Sequence, residues 1–457
     1  MYKFEKNTIP LYIQLYEQIK EDIKNNLLAG SKLPSIRKMV DEYNLSKNTI
    51  QSAYNQLYAE GYIESKAKSG YFVSEDIYQK FEKDLNESFD KKSKNKNYKI
   101  NFYPASLSKS SFPKKTWLKL YSKVLKSDIH YGIYQNKQGD EGLRQEIQKY
   151  LFSSRAVNCT KDQIIITSGF SDSMFIVGTI LKTISNSLAI EYPGYAVARK
   201  VLELLAYDIK DISINSNGID INQLEKTACK SIYLTPSHQF PTGVTIPIAN
   251  RIKLIHWAKK NDAYIIEDDY DSELSYYNRP IPAMQGLENS DRVVYVGTFS
   301  KALSPALRVA YIVLPIKLLP IYYSTFDFSF SGVPIDLQKT LELFLKDGYW
   351  DRHLRKIRNL NRKKHEIMKN SLLHYLKDEI KILREGSGLN LLIKPLINID
   401  LNKLEKLAQK RDVKIYFKEY FEIKKVLALG FGAFEEDEIE NAIKTFREIW
   451  QEAKSFK

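Results

Sequence analysis

At 457 residues the chain is too long for a single hydrophobic core, so two or more domains are expected. A composition of 43% hydrophobic and 27% charged side chains, with only 19 Gly and 15 Pro, excludes a disordered or fibrous protein. The formal net charge of +14 favours a polyanionic partner, yet residues 1–75 carry ten basic against nine acidic side chains, so charge alone does not locate a nucleic-acid surface.

The first periodic segment follows Thr8, a candidate N-cap, and Pro10, which a first helical turn tolerates: Leu11, Leu15, Ile19 and Ile23 recur at helical spacing. A second helix is expected from about Ser35, with Ile36, Met39, Val40 and Tyr43 on one face. A third is expected from Ser46, with Ile50, Ala53, Tyr54 and Leu57 on one face. Only Asn44-Leu45 separates the two, and Gly61 closes the third, which is the arrangement of a helix-turn-helix. Tyr62-Ile63-Glu64 and Tyr71-Phe72-Val73 read as short strands around the polar, basic loop from Ser65 to Gly70, a wing that makes Lys66, Lys68 and Gly70 candidates for DNA contact. The third helix, starting at Ser46, would bring Lys47, Asn48, Thr49 and Gln51 to base edges, while Ser35 and Arg37 hold the phosphate backbone. Each of these residues taken singly fits a solvated face equally well; the combination is specific.

The run Pro10-Leu11-Tyr12, Leu33-Pro34-Ser35-Ile36-Arg37, Leu45-Ser46-Lys47-Asn48-Thr49-Ile50, Ala53-Tyr54, Gly61-Tyr62-Ile63 and Ser69-Gly70-Tyr71 closely resembles the GntR family of bacterial regulators, across all of residues 1–75. The resemblance implies a winged helix-turn-helix (α+β) bound to double-stranded operator DNA. Lys47 stands where many relatives carry Arg, which keeps the charge but loses bidentate geometry toward guanine.

Residues 76–99 read as a linker: Asp76 to Lys99 is polar, and Lys91 to Asn97 has no apolar periodicity, as expected of a flexible basic tether. Ile77, Phe81, Leu85 and Phe89 recur every four residues and predict a helix that docks on either domain or helps pair two chains.

Beyond the linker, Ile164-Ile165-Ile166, Leu188-Ala189-Ile190, Ile232-Tyr233-Leu234, Tyr264-Ile265-Ile266, Val293 to Val296 and Ile312-Val313 alternate with helical stretches. This is the pattern of an α/β domain with a mostly parallel sheet, whose ligands bind at the carboxyl ends of strands. Ser168-Gly169-Phe170-Ser171, Asp268-Asp269-Tyr270 and Thr298-Phe299-Ser300-Lys301 fall at those ends. They offer what pyridoxal 5'-phosphate (PLP) needs: Lys301 for the Schiff base, Asp268 for the pyridinium nitrogen and Tyr270 for the phenolic oxygen. A phosphate cradle would come from Gly169, Phe170 and Ser171 with Thr298, Ser300 and Arg308. Singly, a Lys after Ser or an Asp-Asp-Tyr at a strand end is an ordinary exposed loop; order and spacing are what make them a set.

Gly132, Gly139 to Arg144, Pro193-Gly194-Tyr195, Thr235 to Gly243, Glu267 to Asp271 and Gly297 through Arg308 resemble the MocR/GabR subfamily of GntR regulators, over roughly residues 98–457. The resemblance implies an α/β PLP-dependent transferase domain (aminotransferase fold type I) over 100–457, with a smaller C-terminal α+β subdomain from about 335. It also implies a homodimer with domains crossed between chains, Tyr195 flanking the ring, and a cofactor-contacting loop in which Gln239 or Phe240 stands where aminotransferases have Asn. A further departure is Val426-Leu427-Ala428-Leu429-Gly430, which lacks the Arg that many such enzymes use for the substrate carboxylate. Arg199 either replaces it or is a solvated helix residue.

Arg352, Arg355, Lys356, Arg358, Arg362, Lys363 and Lys364, with Leu354, Ile357 and Leu360 between them, predict a basic helix that is a solvated face more readily than a DNA contact. Cys159 and Cys229 show neither metal-ligand nor redox spacing, which predicts reduced core cysteines, no metal site and a cytoplasmic protein. Met1 to Pro10 has no apolar signal region, and the stretch from Tyr311 to Tyr323 is interrupted by Pro315, Lys317 and Pro320, so no membrane span is expected. The leading expectation is a PLP-bound transcriptional regulator that senses a small amine or amino acid through Lys301. The alternatives are a working aminotransferase with an appended DNA tether, and a regulator for which PLP itself is the effector.

Overall fold

The structure, a computed structural model, describes residues 2–5, 9–67, 69–74, 97–277, 281–288 and 291–454. By its contacts the chain divides into two units, Met1–Asn97 and Tyr98–Lys457.

In the first unit α1 (Leu11–Asn25), α2 (Ile36–Tyr43) and α3 (Lys47–Ala59) are followed by a hairpin of β1 (Ile63–Lys66) and β2 (Gly70–Val73). Pro10 itself occupies the position before α1, and Thr8, expected there, lies outside the described residues. Ser35 and Ser46 cap the next two helices, their Oγ atoms accepting from the Lys38 N–H at 3.2 Å and the Thr49 N–H at 3.1 Å. Asn44, at φ 51°, makes the left-handed turn that ends α2. Leu15, Ile19, Ile23, Met39, Ile50, Ala53, Tyr54 and Leu57 form one core with Ile63 and Val73 of the hairpin, so this unit buries its apolar face by itself. The expected six-residue wing loop is shorter than the sequence suggests. Ser65 and Lys66 pair with Tyr71 and Gly70, so the strands extend to Lys66 and Gly70, with the polar Ser and Lys solvent-facing on a two-stranded ribbon. Lys68 and the helix expected around Ile77, Phe81, Leu85 and Phe89 lie outside the described residues.

The second unit opens with β3 (Ile100–Asn101) and then builds an eight-stranded sheet from β4 (Ile164–Thr167), β5 (Ser187–Tyr192), β6 (Asp208–Asn215), β7 (Gly218–Ile219), β8 (Ser231–Leu234), β9 (Tyr264–Asp269), β10 (Val293–Thr298) and β11 (Ala310–Val313). The strand order is β4-β11-β10-β9-β8-β5-β6-β7. The run from β10 to β6 is parallel, whereas β11 lies antiparallel between β10 and β4, and β7 is antiparallel to β6. Every strand run expected from β-branched clusters is in this sheet; β6 has no such run, because Asp208, Lys210 and Asp211 break its apolar pattern. Both faces are covered, one by Met174, Val177 and Leu202, the other by Leu254, Ile255 and Trp257.

The chain then forms β12 (Ile380–Arg384), β13 (Asn390–Pro395), β14 (Val413–Lys414), β15 (Tyr416–Tyr420) and β16 (Ile423–Gly430). β12-β13-β16-β15 is an antiparallel sheet, while β14 pairs with β3, so residues just after Asn97 join the C-terminal part. The helices Tyr349–Leu376 and Glu438–Ala453 share a core containing Trp350, Leu372, Phe446 and Trp450. Along the first of these helices Arg352, Arg355, Lys356, Arg362 and Lys363 are exposed and Arg358 is half-buried. Lys364 departs from that face: it is fully buried, its ammonium donating to Ser108 Oγ at 2.9 Å, because helical spacing carries it around to the inner side. Cys159 and Cys229 are buried free thiols. Among the described residues no helix is long and apolar enough to cross a membrane.

One buried cation fastens the loop after β8. Arg251, on the helix Ile248–Lys260, donates at 2.8 Å each to the carbonyls of Ile246, Pro236 and Pro282. Arg251→Met would strand three buried carbonyls, at a cost of roughly 2–5 kcal/mol. We expect a lower urea midpoint, followed by the fluorescence of Trp257 on the same helix; an unchanged midpoint would show that the loop holds itself.

Candidate functional site

At the carboxyl ends of β4, β9 and β10 the second unit encloses a cavity of about 350 Å³. Phe170, Tyr195, Thr235, Phe240, Asp268, Tyr270, Asp271, Thr298, Ser300, Lys301 and Arg308 line it from the large sheet. Tyr103 to Ser106, Arg384, Asn390, Tyr416 and Lys418 line it from the C-terminal part.

The acids behind β9 are distinguished by their partners. Asp269 takes the Arg155 Nε at 2.6 Å and the Tyr295 hydroxyl at 2.7 Å, and its carboxyl is net lowered: burial is the largest influence and pushes it up, but the Arg155 guanidinium together with the Tyr295 and Ser272 hydroxyls outweighs that. Asp271 meets His238 Nδ1 at 2.7 Å and Arg384 Nη2 at 3.5 Å. Among the described residues Asp268, 3% exposed, forms no ion pair and accepts only the Tyr233 hydroxyl, at 2.6 Å. Burial, and then the neighbouring Asp269, Asp271 and Glu191, push its carboxyl up to about 8 despite that hydroxyl. A carboxyl in this condition fits a protonated ring nitrogen.

Lys301 follows β10 and is half-buried; burial draws its ammonium down to about 8, although Asp271 and Asp268 pull the other way, so much of it is the nucleophilic free amine near that pH. Gly169 precedes the helix Phe170–Lys182 at φ 111°, and a Cβ there would lie 2.0 Å from Arg308 Nη2. Arg308, itself at φ 53°, is thus laid against a helix N-terminus, a cradle shaped for an anion. Thr298 Oγ1 and Ser300 Oγ, 3.0 Å apart, complete that wall. Lysine, an acid outside any ion pair and an anion cradle together fit PLP.

Tyr195 packs edge-on against Phe170 and Phe240, both centroids at 5.2 Å, and lines the cavity. Tyr270 does so too, but its hydroxyl donates to the His238 carbonyl at 2.9 Å and would have to turn to serve a ligand. Gln239 differs from expectation: it is fully buried within its own loop, donating to the carbonyls of Pro193 at 2.9 Å and Phe240 at 2.6 Å and accepting from Thr242. Phe240 is the loop residue that lines the cavity. Ser171 is exposed on the first turn of its helix and does not line it, and Arg199 pairs with Asp211. Arg384, Lys418 and Tyr233 were not singled out from sequence. The alternation Tyr416, Lys418, Tyr420 was the available signal for a lysine on the inner face of a strand.

In the first unit Arg37, Lys47, Asn48, Lys66 and Gly70 are exposed. Ser35 and Ser46 spend their oxygens as caps, and Thr49 Oγ1 lies 2.8 Å from Ser46 Oγ. The Gln51 amide donates to Asn55 at 3.0 Å and to the Tyr71 hydroxyl at 3.3 Å, which ties α3 to the wing. Lys66 rests over the Phe72 ring at 4.9 Å.

A winged helix-turn-helix joined to an aminotransferase-type sheet defines a two-part class of regulator. Residues 11–73 match bacterial regulatory proteins of the gntR family, and residues 100–383 match aminotransferase class I and II. The uncharacterized HTH-type transcriptional regulator YdeL of Bacillus subtilis is 34% identical over 97% of each chain. The probable rhizopine catabolism regulatory protein MocR of Rhizobium meliloti is 30% identical over 84% of this chain and 81% of its own. The crystal structure of multiple substrate aminotransferase from Thermococcus profundus superposes with a TM-score of 0.69 at 21% identity, covering 79% of this chain and 93% of that one, a likeness of fold. The chain belongs to the MocR/GabR subfamily of GntR-family transcriptional regulators.

The raised carboxyl of Asp268 has a direct consequence for the cofactor-free protein. Between the ordinary aspartate value and about 8 the folded chain keeps a proton that the unfolded chain has lost, so stability falls with rising pH across that window, by at most about 1.4 kcal/mol per pH unit. Asp268→Asn removes the titrating group, so its melting temperature should match the wild type near pH 4 and increasingly exceed it toward pH 8. Parallel melting curves for the two proteins would contradict the absence of a cation beside Asp268.

Proposed function

We propose that this regulator holds PLP in the cavity of the second unit and uses it to sense a small amine or amino acid, changing how the first unit engages operator DNA. The observation that carries the reading is Asp268, a buried acid without a cation facing the same cavity as Lys301. Asp268 would hold the ring nitrogen, Lys301 the aldehyde carbon, and Arg308 with the N–H groups at Gly169, Phe170 and Ser171 the phosphate; Thr298 and Ser300 stand beside them. When bound, PLP supplies an electrophilic carbon that exchanges one amine for another. A relative named for rhizopine catabolism supports a metabolite as the signal. Tyr134 and Phe330, both exposed and stacked at 4.5 Å, form an apolar surface that supports a homodimer. Reading chromosomal DNA, the protein would act in the bacterial cytoplasm.

For DNA, Lys47 and Asn48 on the exposed first turn of α3 would reach base edges, while Arg37 and Lys66 would meet phosphates. The double variant Arg37→Ala, Lys47→Ala should weaken operator binding by about 1–3 kcal/mol for the lost base contact and flatten its salt dependence. Fluorescence anisotropy at several salt concentrations measures both; native affinity with a native salt slope would displace these residues from the interface.

Lys301→Ala should keep operator affinity, because the first unit has its own core, and lose the response to effector. The coupling at stake is about 1–3 kcal/mol. Operator titration with and without effector tests this, together with borohydride reduction and mass spectrometry to find the linked lysine. A normal response in the variant, or label on another lysine, would defeat the reading. The same residues would also serve a working aminotransferase, which multiple turnover with an amino donor and a keto acid would reveal.

A further inference from the structure

Two cations of the cavity lie outside the groups assigned to PLP. Arg308 lies against Gly169 at one wall, and Asp268 and Lys301 are taken up in the reading above. What remains is Arg384 and Lys418 against Asp271, and Asp271 is already shared with His238 at 2.7 Å. Arg384 is buried, with Asp271 no nearer than 3.5 Å and no hydrogen bond at Nε or Nη2. Gly243 and Gly388 make room for it, since a Cβ would lie 2.4 Å from its Nε at Gly243 and 3.2 Å from its Nη2 at Gly388. Lys418 is half-buried and makes no hydrogen bond or ion pair among the described residues; its ammonium rests 5.1 Å from the Phe240 ring centroid.

Strand register explains why a cation should stand there. In the stretch 426–430, which lacks an arginine, Ala428 pairs with Tyr416 across β15 and β16, and Lys418 pairs with Val426. Alternate residues share a sheet face, so Tyr416, Lys418, Val426 and Ala428 lie on one side, the side whose Tyr416 and Lys418 line the cavity. The charge missing from β16 is supplied one strand away.

We propose that Lys418, backed by Arg384, binds the carboxylate of the effector, so that this regulator reads amino acids and not simple amines. This rests on the reading of the cavity as the effector site. An unpaired ammonium and a loosely paired guanidinium in a largely enclosed, aromatic-lined space favour a bound anion, because their charge is poorly solvated until one arrives. Phe240 keeps the ammonium oriented, and Asn390 adds an amide to the same wall.

The test uses cofactor-loaded protein, with loading measured by absorbance, and propionate as a carboxylate that cannot react. Propionate should raise the melting temperature of the wild type at concentrations where chloride does not. Lys418→Gln should raise the propionate half-saturation about ten-fold, the loss of one charge-assisted hydrogen bond, and Lys418→Arg should restore it. Glycine and L-alanine should likewise perturb the cofactor absorbance of the wild type at lower concentrations than methylamine and ethylamine, and Lys418→Gln should erase that preference. Propionate binding unchanged in Lys418→Gln, or amines and amino acids acting equally on the wild type, would overturn the proposal. Failure of the PLP reading would register separately, as borohydride label absent from Lys301.

Discussion

A carboxyl buried with only a hydroxyl beside it is an unstable arrangement for an anion, and Asp268 is held in it by the strand that carries it. Consecutive residues of β9 point to opposite faces, so Asp269 turns toward Arg155 and Tyr295 while Asp268 turns into the cavity. Its second wall is Tyr233 on β8, which donates a hydrogen bond but no charge. The site therefore lacks one positive charge at a fixed point, and the choice of ligand follows from that deficit.

The residues behind the cavity keep this arrangement rigid. Arg155 joins Asp269 to Ser237 and to the Ile281 carbonyl, and so links β9 to the loop after β8. Glu191, pushed up to about 7 by burial, accepts from the Thr235 N–H and hydroxyl and from the Gln239 amide. Gln239 is consequently part of the scaffold, and the loop offers its aromatic neighbour Phe240 to the cavity instead. Buried polar networks of this kind are stable only when nearly every member is satisfied, which is why substitutions within them act on the whole loop.

The DNA-reading unit is organised on a different principle. Its polar residues at helix starts serve the backbone first, as Ser35 and Ser46 do, while side chains further on, such as Arg37, Lys47 and Asn48, are exposed and not engaged as caps. The Gln51 amide, bonded to the Tyr71 hydroxyl, fixes the wing relative to α3, so helix and wing present one surface.

The amino-acid sequence by itself determined what depends on local pattern. Helices α1 to α3 followed from apolar spacing, and the central strands from β-branched runs that are apolar because both faces are covered; that Ser35 and Ser46 are caps emerged only in the structure. Lys301, Asp268 and Gly169 were legible because each sits at a strand end in a recognisable order. Tertiary structure decided what depends on residues distant in the chain. It turned Lys364 inward, engaged Arg199 with Asp211, and chose among three neighbouring acids by distributing Arg155, His238 and Arg384 to two of them. It also placed Lys418 beside the arginine-free stretch 426–430. Strand pairing brings positions 418 and 426 together across a turn, and which charges meet around a cavity is set by that pairing and by burial, neither of which a linear pattern encodes.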